Sequence, residues 1–270
     1  MLGLLHDLKR RINICKAQWA AAQGDSAARR SAGKSSIFIN TLPKSGSIFI
    51  RRSLERSVRL KSHKLAYGYF PTDIVDYYKV KAFSSGGRIA QEHLDAAPLN
   101  LAYLEQFVGK WVLHLRDPRG SLLSWVHHLD RLQKEGHSDA VHASSPFLPT
   151  DYFERSVGQK IDWQIEHYLK QSVAWISGWN GYYAAHPESM LVTSHNELSA
   201  DSGQVIARIL AFYGMDNGPV KLAEKSMYNH YRKGETDEWK SVYTDAQQAR
   251  AAAICTPLKH AFAGVNYLVP

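Results

Sequence analysis

The segment from Ser36 to Leu60 constrains the fold of this 270-residue chain more than any other. Ser36-Ile-Phe-Ile-Asn40 is a short β-branched and aromatic run, the pattern of a buried strand. Thr41-Leu-Pro-Lys-Ser-Gly-Ser47 follows, with turn residues along its length. From Ile48 to Leu60, apolar residues recur at Ile50, Leu54 and Val58, which is a helical spacing. Strand, glycine-containing loop and helix in this order turn backbone N–H groups and a helix dipole toward an anion. Gly46 permits close approach of the backbone, Lys44 adds a mobile positive charge, and Ser45 and Ser47 offer hydroxyls.

The rest of the chain alternates in the same way. Arg88–His93 reads as a second strand, Leu101–Val108 as a helix, and Trp111–Leu115 as a third strand. Asp117 is a helix cap with Pro118 in the first turn of a helix through Leu129. Tyr67-Gly-Tyr-Phe-Pro71 reads as an aromatic loop, and residues 134–160 as a long polar loop. A helix is expected over Ile161–Ala185, a strand over Met190–Thr193 and a helix over Gln204–Tyr213. Such alternation predicts an α/β fold: a P-loop-like central parallel sheet flanked by helices. With 44% hydrophobic residues, 270 residues support one large domain and not two. Residues 1–35 read as an N-terminal helix and an Ala/Ser/Gly/Arg-rich linker, and 36–270 as the domain.

Charge narrows the partners. The formal charge of +8 favours anions: nucleotides, sulfated or phosphorylated substrates, nucleic acid or an acidic membrane surface. The chain start, Met1-Leu-Gly-Leu-Leu-His-Asp-Leu-Lys-Arg-Arg11, is apolar and then basic, the reverse of a secretory signal, and reads as an amphipathic helix. No apolar run reaches the ~18–20 residues that cross a bilayer, so no stable membrane insertion is expected. Cys15 and Cys255 form neither a metal spacing nor a disulfide framework. Two reduced thiols in a cytoplasmic protein is the resulting expectation.

A decoy lies upstream of the loop. Gly33-Lys-Ser35 resembles the end of a Walker A motif, but Ala28 stands where its first glycine belongs, and the triplet precedes the strand. In the loop itself Lys44 comes before Gly46, which disfavours a P-loop kinase or ATPase. That phosphotransferase reading remains the alternative enzyme class.

Leu42-Pro-Lys-Ser-Gly-Ser-Ile-Phe49 resembles the 5′-phosphosulfate loop, P-K-S-G-T-T-W, of the sulfotransferases that use PAPS (3′-phosphoadenosine 5′-phosphosulfate). Two further segments strengthen the resemblance. Trp111–Trp125 is similar to the family's 3′-phosphate segment, with Arg116 and Ser124 at the family's spacing. A guanidinium suits this task because its planar fork matches phosphate bidentately. Arg232-Lys-Gly-Glu-Thr-Asp-Glu-Trp-Lys240 is similar to the C-terminal R-K-G-x-x-G-D-W segment, with Arg232, Lys233 and Gly234 matching and Asp237 and Glu238 departing.

The resemblance implies transfer of a sulfuryl group from PAPS to a hydroxyl or amine of a small-molecule acceptor, leaving 3′,5′-ADP. It implies no metal. Lys44, Ser45, Gly46, Ser47, Ile48, Phe49, Arg116, Ser124, Arg232, Lys233 and Gly234 would bind the nucleotide. Lys44 would stabilise the leaving phosphate, and Ser124 would hold Lys44 back until the acceptor binds. Gln91-Glu-His-Leu94 resembles the family's K-T-H-L stretch, which makes His93 the candidate base. Glu92 is the alternative base, and would go with a saccharide or lipid acceptor. Phe49 takes the place of the adenine-stacking Trp, with Tyr228 or Tyr231 for the opposite face, and His195 is a weaker nucleotide contact. His127 and His128 are expected in packing or on the acceptor side, and His114 in the core. Tyr67, Tyr69, Phe70 and the 134–160 segment would line the acceptor site. Many basic residues fall in phosphate segments instead of spreading over an aromatic-studded face, so nucleic acid is not the expected partner. Oligomeric state is not readable from the sequence.

Overall fold

The computed structural model of the chain describes residues 35–216, 218–224 and 236–268. The expected N-terminal helix and linker, Cys15, Tyr228, Tyr231 and Arg232–Gly234 lie outside the described residues.

Strand β1 (Ile37–Thr41) runs into the loop and then helix α1 (Ser47–Val58). The chain continues through β2 (Lys61–His63), β3 (Ala66–Tyr67), β4 (Ile74–Val75), α2 (Tyr77–Ser84), β5 (Arg88–Glu92), α3 (Pro98–Phe107), β6 (Trp111–Leu115) and α4 (Pro118–Lys134). Next come α5 (Ser138–Ser144), α6 (Val157–Gln164), a π-turn (Ile165–Leu169), α7 (Lys170–Ala185), β7 (Met190–Ser194), α8 (His195–Ala200) and α9 (Ser202–Phe212). Two helices, α10 (Trp239–Val242) and α11 (Asp245–Cys255), follow, and the described chain ends after a 3₁₀ turn at Thr256–Leu258.

Five strands form one parallel sheet in the order β2-β5-β1-β6-β7. β1 is central, and the order reverses across it. An open α/β sheet binds ligands in the crevice beyond the strand ends at such a switch point, and the 41–47 loop stands there. Alternation along β1 explains the layers. Phe38 joins Leu113, Leu122, Trp175 and Trp179 on one face, while Ile37 and Ile39 join Ile50, Leu54, Ile206 and Ile209 on the other. Both faces are covered by helices, as an all-parallel sheet requires. The chain is a single domain, in agreement with the expected fold class.

The 134–160 segment corrects the expectation of one long loop. It contains α5, a 3₁₀ turn at Tyr152–Glu154 and the start of α6. Val141 and Tyr152 are buried and anchor it. The helix expected from Ile161 begins four residues earlier, because Ser156 and Gln159 form a reciprocal capping box. The helical path then carries a π-turn, which points Tyr168 toward the loop after β1. Cys255 is buried, and burial pushes its thiol up to about 12.

Candidate active site

The loop after β1 is held by its carbonyl groups. Leu42 O accepts from Ser45 Oγ (2.6 Å), Pro43 O from Ser121 Oγ (2.7 Å) and Lys44 O from Arg116 Nη1 (2.5 Å). Ser45 O accepts from His114 Nε2 (3.0 Å), and Gly46 O from the Ile50 amide (3.2 Å). Five successive carbonyls are thus turned into the protein. Among the described residues, no main-chain acceptor takes the amides of Ser45 to Ile48. Those amides sit at the α1 N-terminus, where the dipole favours negative charge. Lys44 (φ 61°) and Gly46 (φ 92°) both adopt left-handed backbone. A Cβ on Gly46 would lie 3.0 Å from Leu198 Cδ2, so the tight turn excludes a side chain there.

The braces come from distant elements. Tyr168 packs flat against Trp125 (ring centroids 5.0 Å apart), and its hydroxyl meets Ser121 Oγ at 2.6 Å. His114 is fully buried in β6. Its Nδ1 accepts from Thr193 Oγ1 (2.8 Å) while Nε2–H donates to Ser45 O, so the ring is neutral. Burial holds its pKa down to about 4, against the opposing pull of the Ser45 carbonyl. The expectation of a core His114 is met, with the addition that it positions the loop. Ser45 is different from the expectation: its hydroxyl is buried and spent on Leu42 O, which leaves its amide for a ligand.

A cleft of about 750 Å³ opens over this loop. Lys44, Gly46, Ser47, Ile48, Phe49, Arg116 and Ser124 line it, together with His195, Leu198, Ser199 and Ser202. Burial, with Arg116 and His114 nearby, holds the His195 pKa well below its usual value. Phe49 is mostly buried among Ile37, Leu54 and Ile206 and meets the cleft with little of its ring.

His93 also lines the cleft. Its Nδ1–H donates to Thr41 O (2.6 Å), which leaves the Nε2 lone pair to accept from Gln91 Nε2 at 3.3 Å. Asn40 fixes the adjoining backbone, exchanging two 2.9 Å hydrogen bonds with Leu94. Burial, and then the charges of Lys64 and Lys44, lower the His93 pKa to about 4, so the ring is neutral at pH 7. Glu92 also lines the cleft, but its carboxylate is buried, accepts from the Leu65 amide (2.6 Å) and lies 3.4 Å from Lys64 Nζ. Burial raises its pKa.

The cleft is also lined by Lys64, Tyr67, Tyr69, Phe70, Asp73, Lys79, Trp125, His128, Leu132, Ala140 and Ser144. Tyr67, Tyr69, Phe70 and His128 thus border the same cleft as Lys44 and Arg116, while His127 does not line it. Asp73 has no motif in the sequence. It is buried, and burial and then the Glu92 charge push its carboxyl up to about 6. The buried Asn100 clamps the backbone around it, donating to Asp73 O (3.1 Å) and accepting from the Val75 amide (3.0 Å).

The third segment is described only from Thr236 onward. Trp239 lies against Arg119, with the guanidinium 4.1 Å from the ring centroid, and Arg119 grips Asp117 at 2.9 and 2.6 Å. A Cβ on Gly120 would lie 3.4 Å from Thr236 O and 3.5 Å from Arg116 Nε. The C-terminal segment thus meets the start of α4 beside Arg116. The described residues hold no metal-binding cluster of His, Cys, Asp or Glu, and no described helix is long and apolar enough to cross a membrane.

Residues 34–262 match the family described as "Sulfotransferase domain", and the chain belongs to that family. It is a sulfotransferase by family. No curated protein matches the sequence. Among solved structures, mouse sulfotransferase SULT7A1 complexed with PAP is 15% identical, with 84% of each chain covered and a TM-score of 0.56. Retinol dehydratase in complex with androsterone and inactive cofactor PAP is 16% identical, covering 87% of this chain and 82% of that one, with a TM-score of 0.52. These likenesses agree with the α/β fold described above.

Proposed function

We propose that the chain moves the sulfuryl group of PAPS to a hydroxyl, or an amine, of a small-molecule acceptor and releases 3′,5′-ADP. The observation that carries this reading is the Arg116–Lys44 hydrogen bond, which locks the strand-end guanidinium to the phosphate loop within one cleft. A nucleotide with phosphates at both 5′ and 3′ positions fits two such groups. The solved relatives named above hold PAP, which supports the same ligand here.

PAPS supplies a sulfuryl group activated by its bond to a good leaving phosphate. The residues of this chain divide the remaining work. The amides of Ser45 to Ile48 and the Lys44 side chain hold the 5′ end, and Lys44 offsets charge as the bridging oxygen departs. Arg116 and Ser124 hold the 3′-phosphate, joined by Arg232, Lys233 and Gly234. Ile48 and Phe49 face the nucleoside. His93 takes the acceptor proton on Nε2 as the new O–S bond forms and the S–O bond to the leaving phosphate breaks, while Nδ1–H stays on Thr41 O. Ser124 holds Lys44 back in the absence of acceptor. No metal enters this scheme. A base role for Glu92 has weaker support, because its carboxylate is tied to Leu65 and Lys64. Residues 36–270 form the catalytic domain, acting in the cytoplasm.

Isothermal titration with 3′,5′-ADP and with 5′-AMP tests the reading. The first should bind at least tenfold tighter, a preference worth about 1.4 kcal/mol. Equal affinities would sink it.

A further inference from the structure

Exposed apolar side chains are unevenly spread over this molecule. Among the described residues, Tyr67, Tyr69, Ile74, Tyr77, Tyr78 and Leu99 account for six of the ten large exposed ones. All six fall between β3 and the first turn of α3. Tyr67 pairs with Ile74 across the β3–β4 hairpin. The Val75 amide is tied to Asn100, which brings β4 against the start of α3 beside Leu99. Tyr77 touches Tyr78, with ring centroids 5.3 Å apart, and packs on Tyr103 and Phe107. One face of the hairpin, α2 and α3 is therefore apolar and aromatic, and it is continuous with the cleft through Tyr67 and Tyr69.

Lysines alternate with these rings. Lys79 Nζ lies 3.1 Å from the Tyr67 centroid and Lys81 Nζ 5.7 Å from that of Tyr77. Lys61 and Lys64 are exposed on the neighbouring strand and turn. The carboxylates of this region are largely withdrawn: Asp73 and Glu92 are buried, and Asp76 caps α2. Glu105 on α3 is the exposed exception.

We infer that this face docks the mouth of the cleft on an anionic lipid surface. Tyrosines place rings at the headgroup level, lysines are drawn to anionic lipid, and apolar tips enter the acyl boundary. The tips decide between a bilayer and a saccharide chain. Ile74 and Leu99, 55% and 54% exposed, carry no ring to stack on a sugar and no polar group to bind its hydroxyls. Both suit hydrocarbon. Docked in this way, the cleft receives acceptors that are hydroxylated amphiphiles held in the same surface. That last consequence rests on the sulfuryl-transfer reading, whereas the docking does not.

Vesicle co-sedimentation of the full chain tests the docking, using phosphatidylcholine alone and phosphatidylcholine with about 30% phosphatidylglycerol. The chain should sediment with the anionic vesicles and not with the neutral ones. Ile74→Ser/Tyr78→Ser/Leu99→Ser should lower the partition coefficient at least tenfold, and Lys81→Glu severalfold. Should the triple variant fail to fold by circular dichroism, Tyr78→Ser, at a site 68% exposed, should still give a severalfold loss. Titration of these variants with 3′,5′-ADP should give wild-type affinity, which separates a failure of docking from a failure of the transferase reading. No binding to anionic vesicles would overturn the inference. So would binding that the variants leave intact, which would assign it to another part of the chain. A concentration-dependent mass that the triple variant abolishes, with no vesicle binding, would make the face a contact between copies and overturn it equally.

Discussion

The His93 imidazole donates from Nδ1 to the carbonyl of Thr41 at 2.6 Å, at the point where the central strand becomes the loop that leads into α1. This one hydrogen bond fixes the tautomer and aims Nε2 at Gln91 and the cleft. It also ties the candidate base to the same backbone that presents Lys44. A shift of the loop therefore moves base and cation together.

The first prediction concerns pH. With its pKa lowered to about 4, His93 is unprotonated, and so able to accept a proton, throughout the neutral range. The profile of kcat/KM should stay level from pH 8 down to pH 5 and fall only on approach to pH 4. An acid limb near pH 6 would instead point to Asp73. His93→Gln should lower kcat by about 10²–10⁴-fold while leaving 3′,5′-ADP affinity unchanged by titration.

Stability should show the same histidines with a definite sign. His93 and His114 titrate near 6.5 when unfolded and near 4 when folded. Between those values the unfolded chain binds more protons, so stability is full above pH 6.5 and is lost as pH falls toward 4. For the fully buried His114 the loss amounts to about 3 kcal/mol. Melting temperatures should hold nearly level from pH 7.5 to about 6.5 and then fall toward pH 4.5 in the wild type, and fall less steeply in His114→Gln. Equal slopes would remove His114 from the account.

Asp73 reverses the sign. Its folded carboxyl is raised from 3.8 to about 6, so the folded chain binds the extra proton in that window. Stability is highest below pH 3.8 on this account and is lost as pH rises through 6. Asp73→Asn should therefore stabilise the protein at pH 7.5 by about 2–3 kcal/mol, with little change at pH 4. Asp73 is thus a buried carboxyl that lowers stability and lines the cleft, the combination by which a functional residue differs from a packing one. Differential scanning calorimetry at the two pH values decides the matter.

These contrasts show which parts of the molecule the sequence makes legible. Ser36–Leu60 and Trp111–Leu129 are continuous segments whose patterns declare themselves locally, and both take the expected form, apart from shifts of one or two residues at the ends in the first and a helix that runs five residues further, to Lys134, in the second. The braces on the loop are not local. Ser121, His114 and Tyr168 reach Pro43 and Ser45 only once the sheet and α4 have come together. Asp73 lies in a short connection with no periodicity, and its raised carboxyl and fixed backbone depend on burial and on Glu92 and Asn100 from two other elements. β3 and β4 are two residues each and carry no readable alternation. The 134–160 segment hid α5 because seven residues with one buried anchor, Val141, make no stripe.

Trp239 supplies the last prediction. Its ring covers the Arg119 guanidinium at 4.1 Å, and Thr236 O lies beside Gly120 and Arg116. Arg232, Lys233 and Gly234 come just before this anchor in the sequence. If they close on the 3′-phosphate, the anchor must hold them near Arg116. A cation–π contact of this kind is worth about 0.5–2 kcal/mol, and the lost packing adds to it. Trp239→Ala should then weaken 3′,5′-ADP by roughly tenfold, about 1.4 kcal/mol, and leave 5′-AMP within twofold. Arg232→Ala should show the same split, and Arg116→Ala a larger one. Equal weakening of both nucleotides in Trp239→Ala would mean that the segment supports the loop as a whole, and would detach Arg232–Gly234 from the 3′-phosphate.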